Sequence, residues 1–81
     1  MFVYIIERIE WRESADYIDY TEDKRILHAF LELNQAKDYV EDDAGYYTYT
    51  FEWATNRRYV GYFDGERGHS GVRYEIREIP F

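Results

Sequence analysis

The sequence predicts an α+β fold: a small antiparallel sheet in the order β-β-α-β-β-β, with one helix packed on one face. Three observations carry this reading. Apolar residues alternate with polar ones in several short stretches, as strands with one buried face require. Only one stretch, Glu32 to Asp43, changes to a helical period. And 81 residues, 46% of them hydrophobic, with 10 Tyr, 5 Phe and 2 Trp, supply apolar side chains for one core, so residues 1–81 form a single domain.

Phe2 to Arg12 reads as the first strand. Val3, Ile5, Ile9 and Trp11 share one face, interrupted by Glu7, while Phe2, Tyr4 and Ile6 give way on the other to Arg8, Glu10 and Arg12. Such a strand is covered on both faces at its start and on one face later. Ser14 to Asp23 reads as a polar connection with some strand character, and Arg25 to Leu31 as the second strand. In the helix, Leu33, Ala36 and Val40 fall at i, i+3 and i+7 with Tyr39 beside them, and Gly45 is placed to end it. Glu41, Asp42 and Asp43 crowd its C-terminus, where the helix dipole disfavours negative charge. Something other than helix stability is expected to explain them.

Tyr46 to Ala54 alternates again, with Tyr47, Tyr49, Phe51 and Trp53 on one face. Thr55-Asn56-Arg57 reads as a hairpin connection, since Asn tolerates left-handed geometry. Arg58 to Phe63 returns as a strand, with Tyr59 and Phe63 on one side and Val60 and Tyr62 on the other. Asp64 to Gly71 is a glycine-rich loop. Val72, Tyr74 and Ile76 then alternate with Arg73, Glu75 and Arg77 in a last strand that closes at Pro80.

The absence of cysteine excludes a disulfide framework, a thiolate metal site and a cysteine nucleophile. The opening apolar run lacks a basic flank and ends at Glu7, too soon for a signal peptide or a membrane span. A soluble, cytoplasmic protein is expected, with no membrane partner. No catalytic constellation emerges. His28 lies in an apolar strand and is expected to be packed and hydrogen-bonded. His69, Asp64 and Glu66 are too few for a coordination sphere. Gly65, Gly68 and Gly71 precede a strand, whereas a phosphate loop opens a helix. No enzyme activity, metal or cofactor is expected.

Charge is more informative. Residues 1–45 hold 12 of the 17 acids and 5 of the 10 bases, so the whole net charge of −7 arises there. Seven acids lie between Glu7 and Asp23 against only Arg8 and Arg12. That density suits a basic protein partner and opposes direct nucleic-acid binding, which needs a basic footprint. The expected acidic contacts are Glu13, Asp16, Asp19, Glu22 and Asp23, with a second cluster at Glu41, Asp42 and Asp43. The tyrosine excess after Gly45 supplies a second kind of surface. Buried tyrosines need hydrogen-bond partners, so some of Tyr46, Tyr47, Tyr49, Tyr59, Tyr62 and Tyr74 are expected to be exposed, with Tyr46 and Tyr62 as aromatic contacts.

A short, cysteine-free, tyrosine-rich acidic chain with one helix on a small sheet resembles, in overall character, small phage-encoded anti-defence proteins, among them anti-CRISPR inhibitors. Ala29 to Val40 also looks like the strand-to-helix join of small bacterial and phage domains. The resemblance implies a non-enzymatic inhibitor that blocks a basic, nucleic-acid-binding host effector such as a CRISPR complex subunit, with carboxylates mimicking DNA phosphates, in the cytoplasm of a bacterial host. Two alternatives stand beside it. One is a structural or homo-oligomeric domain, a homodimer for example, with a tyrosine-rich self-interface. The other is a small ligand-binding domain using the loop 64–71.

Overall fold

A computed structural model of the chain describes residues 1–13, 19–45, 51–55, 59–64 and 70–81, the last three of 59–64 by their backbone. The elements are β1 (Phe2–Glu13), β2 (Tyr20–Phe30), α1 (Leu33–Ala44), β3 (Glu52–Trp53), β4 (Val60–Asp64) and β5 (Ser70–Pro80). The strands form one antiparallel sheet in the order β2-β1-β5-β4-β3, and α1 packs on one face, giving the α+β class that the sequence predicts.

β1 lies between its two longest neighbours. It pairs with β5 without interruption from Phe2↔Pro80 to Arg12↔Ser70, so the first and last strands are adjacent. The Phe81 N–H donates to the Met1 carbonyl at 2.9 Å and closes that end. The period of two then sorts side chains onto faces. Tyr4 and Ile6 of β1 join Val72, Tyr74 and Ile76 of β5 beneath the helix, which contributes Ala36, Val40 and Ala44 at four-residue spacing. Fully burying an aliphatic side chain of this kind contributes about 1.5–3 kcal/mol.

Ile9 is also fully buried, on the opposite face. Arg73, its register partner on β5, reaches across β1 to Glu22 of β2 (3.4 Å), while its Nε lies 3.3 Å from Glu75.

The β1–β2 ladder carries one irregularity. Ile6 pairs with His28 and Glu7 with Ile26, so Leu27 is an extra residue in β2. The bulge brings Leu27 against the helix-side core while His28 and Phe30 still face α1.

Several expectations need correction. β2 starts at Tyr20, so the polar stretch before Arg25 is strand, because β1 supplies a backbone partner to every residue from Thr21 to Lys24. His28 is exposed; its ring stacks on Tyr39 (5.5 Å, 17°) with Phe30 at 4.5 Å. Gly45 ends the helix with φ −64°, so its left-handed freedom is not used. Of the six tyrosines some of which are expected to be exposed, Tyr74 is fully buried and Tyr59 half-buried, which leaves that expectation to the four whose side chains lie outside the described residues. Among the described residues of the β3–β4 connection, Tyr59 is left-handed, with φ 59°. Asn56 and Arg57 lie outside the described residues, as do Tyr46, Tyr47, Tyr49 and residues 65–69 of the glycine-rich loop.

β3 and β4 attach through an aromatic contact that only glycine permits. A Cβ on Gly61 would come within 2.2 Å of the Phe51 ring. Phe51 meets Trp53 and Tyr74 edge-on, at 5.2 and 5.6 Å.

Candidate partner-binding surface

The acids expected to bind a partner occupy two places that the fold brings next to each other. The first is the far end of the β1–β2 hairpin, where Glu13 pairs with Tyr20, Trp11 with Glu22 and Glu10 with Asp23. Among the described residues, none of β1 beyond Arg8 and none of β2 before Leu27 belongs to the helix-side core. Asp19, Glu22 and Asp23 are exposed and Glu13 half-exposed. Asp16 lies outside the described residues. The molecule measures 46 × 23 × 22 Å.

Two opposed pairs in this hairpin carry like charge. Glu10 lies across from Asp23, and Arg8 across from Arg25. Direct like-charge opposition is unfavourable. Relief comes along each strand instead: Arg8 Nε is 3.4 Å from Glu10, and Arg25 Nε is 3.4 Å from Asp23. A shallow open depression of about 280 Å³ runs along the hairpin, lined by Glu10, Trp11, Arg12, Thr21, Glu22 and Asp23. The Trp11 and Tyr20 rings stack beside it, 6.5 Å apart at 24°. Although more than half of Tyr20 is exposed, local desolvation, the Glu22 carboxylate and the hydrogen bond to it raise its phenol above the ordinary 10.0, against a lowering by Arg73.

The second place is the last turn of α1, where the three acids have different surroundings. Asp43 is the internal one, with a side chain 18% exposed. It accepts from Arg8 Nη1 at 2.8 Å and from the Tyr74 hydroxyl at 2.5 Å. Glu41 accepts from the indole Nε1 of Trp53 at 3.1 Å, and the same indole lies beneath the Lys37 ammonium, 5.6 Å from the ring centroid. Lys37 also sits 5.4 Å from the Tyr59 ring. The helix is thus fastened to β3 by residues one turn apart, and to β1 and β5 by Asp43. These contacts answer the conflict with the helix dipole for Glu41 and Asp43. Asp42 is exposed.

Arg8 joins the two acid clusters, touching Glu10 on one side and Asp43 on the other. Sequence reasoning found the carboxylates and missed this arginine, although its place on the helix-facing parity of β1 was the available signal.

Of the aromatic contacts, Tyr46 lies outside the described residues. Tyr62 is placed by its backbone alone, between Glu52 of β3 and Arg73 of β5. Among the described residues no three His, Asp or Glu converge as metal ligands, and no helix is long and apolar enough to cross a membrane. No family model matches the chain, and comparison with curated proteins and with solved structures gives no match.

Proposed function

We propose that this chain is a non-enzymatic protein-binding module whose acidic hairpin docks on a basic surface of a nucleic-acid-handling protein and excludes nucleic acid from it. The observation that carries the reading is the setting of Glu13, Asp19, Glu22 and Asp23 on a sheet end that extends past the helix-side core, with Glu10 level with its last residue, Val72. Carboxylates so displayed meet lysine and arginine side chains of the kind that contact phosphates, and they accelerate encounter with such a surface. Asp43 and Glu41 serve the fold in this reading, so the contact set is the hairpin with Asp42 at its margin. A host-effector inhibitor, phage-encoded and acting on a CRISPR complex subunit, is the specific form that the overall resemblance favours.

The test is affinity capture from a bacterial lysate, followed by competition with duplex nucleic acid on the captured protein. A carboxylate mimic is displaced by duplex. Its association rate falls as salt rises, because exposed charges act over only about 8 Å at physiological ionic strength. Reversing Asp16, Asp19, Glu22 and Asp23 to Lys slows association and leaves the fold intact. Capture that ignores salt, duplex and charge reversal counts against the hairpin as the contact surface.

A further inference from the structure

The outer edge of β2 is complementary to itself. β2 is the first strand of the sheet order, and among the described residues nothing pairs with its outer side. Its pairing with β1 is regular from Tyr20 to Ile26 and breaks at Leu27. That segment, Tyr20-Thr21-Glu22-Asp23-Lys24-Arg25-Ile26, is seven residues long and has Asp23 at its centre.

Two identical edges joined antiparallel can take only certain registers. Directly opposed residues must both turn their N–H and C=O toward the other strand or both turn them away. Since these groups alternate along a strand, the two-fold axis must pass through a residue and not between two. Centred on Asp23, the face away from the helix sets Tyr20 opposite the second copy's Ile26 and Glu22 opposite its Lys24, each twice. Tyr20 is 54% and Ile26 71% exposed in the single chain, and each gains an apolar neighbour in this register. The contact between Arg73 and Glu22 already holds that carboxylate on this face. On the helix face, Thr21 lies opposite Arg25, and Asp23 meets its own copy with an Arg25 diagonal on either side. Shifting the centre to Lys24 would keep two acid–base pairs, Asp23 with Arg25, but would set Glu22 against Ile26, part Tyr20 from Ile26 and carry the pairing into the bulge at Leu27, so apolar matching and a regular ladder select Asp23.

We propose that two copies of this chain associate through β2, antiparallel about Asp23, into one continuous sheet with both helices on the same face. This interface does not rest on the proposed partner, although it engages Glu22 and Asp23 of the same hairpin, and it differs from a tyrosine-rich self-interface. Charged residues on an edge strand ordinarily prevent pairing; here their order admits a second copy while opposing unrelated strands.

Sedimentation equilibrium of the whole chain tests it, with folding of each variant checked by circular dichroism. The wild type forms a dimer. E22K alone and K24E alone each set like charges opposite one another twice, and each weakens dimerisation about tenfold or more. Mixing the two variants restores association, because residues 22 and 24 of each copy then face opposite charge across the heterodimer. D23N removes the repulsion at the axis and tightens the dimer. For the wild type, β2 amide protection from hydrogen exchange rises with protein concentration. A chain that stays monomeric, or a mixture no tighter than its components, overturns the proposal, and so does a dimer whose β2 amides gain no protection.

Discussion

Ile6 and Ile26 are the same residue type on neighbouring strands, next to each other across the β1–β2 ladder, yet one is 0% and the other 71% exposed. Ile6 lies on the helix side of the sheet, with Val40 and Tyr74 in the same core. Ile26 lies one pairing step away, opposite Glu7, on the other face. The same sheet is therefore two kinds of structure. Its helix-covered part is held by apolar burial and a few internal polar contacts. Its hairpin end is held by backbone pairing, by ion pairs along strands and by the one from Arg73 across β1 to Glu22. Side chains can change in the second part at little cost to the first.

The sharpest way to break this contrast is to truncate both isoleucines. Ile6→Ala is expected to lower stability by about 2–5 kcal/mol, as for other buried aliphatics. Ile26→Ala stays within about 0.5 kcal/mol. Urea unfolding monitored by tryptophan fluorescence measures both, and equal losses would remove the distinction. A somewhat smaller loss is expected from the acid that ties the helix to the sheet. Asp43→Ala strips a carboxylate from Arg8 and Tyr74 and costs about 1.5–3 kcal/mol. Gly61→Ala drives a methyl into Phe51 and costs about 1–3 kcal/mol, lowering the thermal midpoint. Asp42→Ala, one residue from Asp43, instead leaves stability unchanged or raises it by a few tenths of a kcal/mol through relief of the helix dipole, about 0.3 kcal/mol. The two aspartates sharpen the comparison within a single helical turn.

The smallest effect belongs to Tyr20. A phenol whose ionisation is raised in the folded chain favours folding in its neutral form. That contribution is complete below the ordinary value of 10.0 and is lost as pH climbs through the higher folded value. The difference between ultraviolet titrations of the wild type and Tyr20→Phe should place the Tyr20 ionisation above the ordinary value, and Glu22→Gln should lower it. An unmoved titration would separate Glu22 from the Tyr20 hydroxyl.

Much of the helix-covered part was legible in the sequence. The parity of Val72, Tyr74 and Ile76 and the spacing of Ala36 and Val40 are direct records of one buried face. The hairpin end was less legible, because Thr21 to Lys24 owe their strand conformation to β1 and carry no apolar alternation of their own. Position 43 shows a different limit. Its charge was plain, but a lone carboxylate gives no sign of the arginine and tyrosine that reach it from strands far away in sequence. The Leu27 bulge left no mark either, since a leucine in an apolar run fits a regular strand equally well.

That bulge gives the chain an unusual tolerance of length. Because Leu27 is the residue without a cross-strand partner, deleting it would leave Ile26 and His28 opposite Glu7 and Ile6 as they are now. Every other side chain of β2 would keep its face, and only the leucine's contact with the core would be lost. Deleting one of Thr21 to Arg25 would instead turn part of the strand over, exchanging its two faces. Position 27 is thus where this hairpin can shorten by one residue and remain the same hairpin.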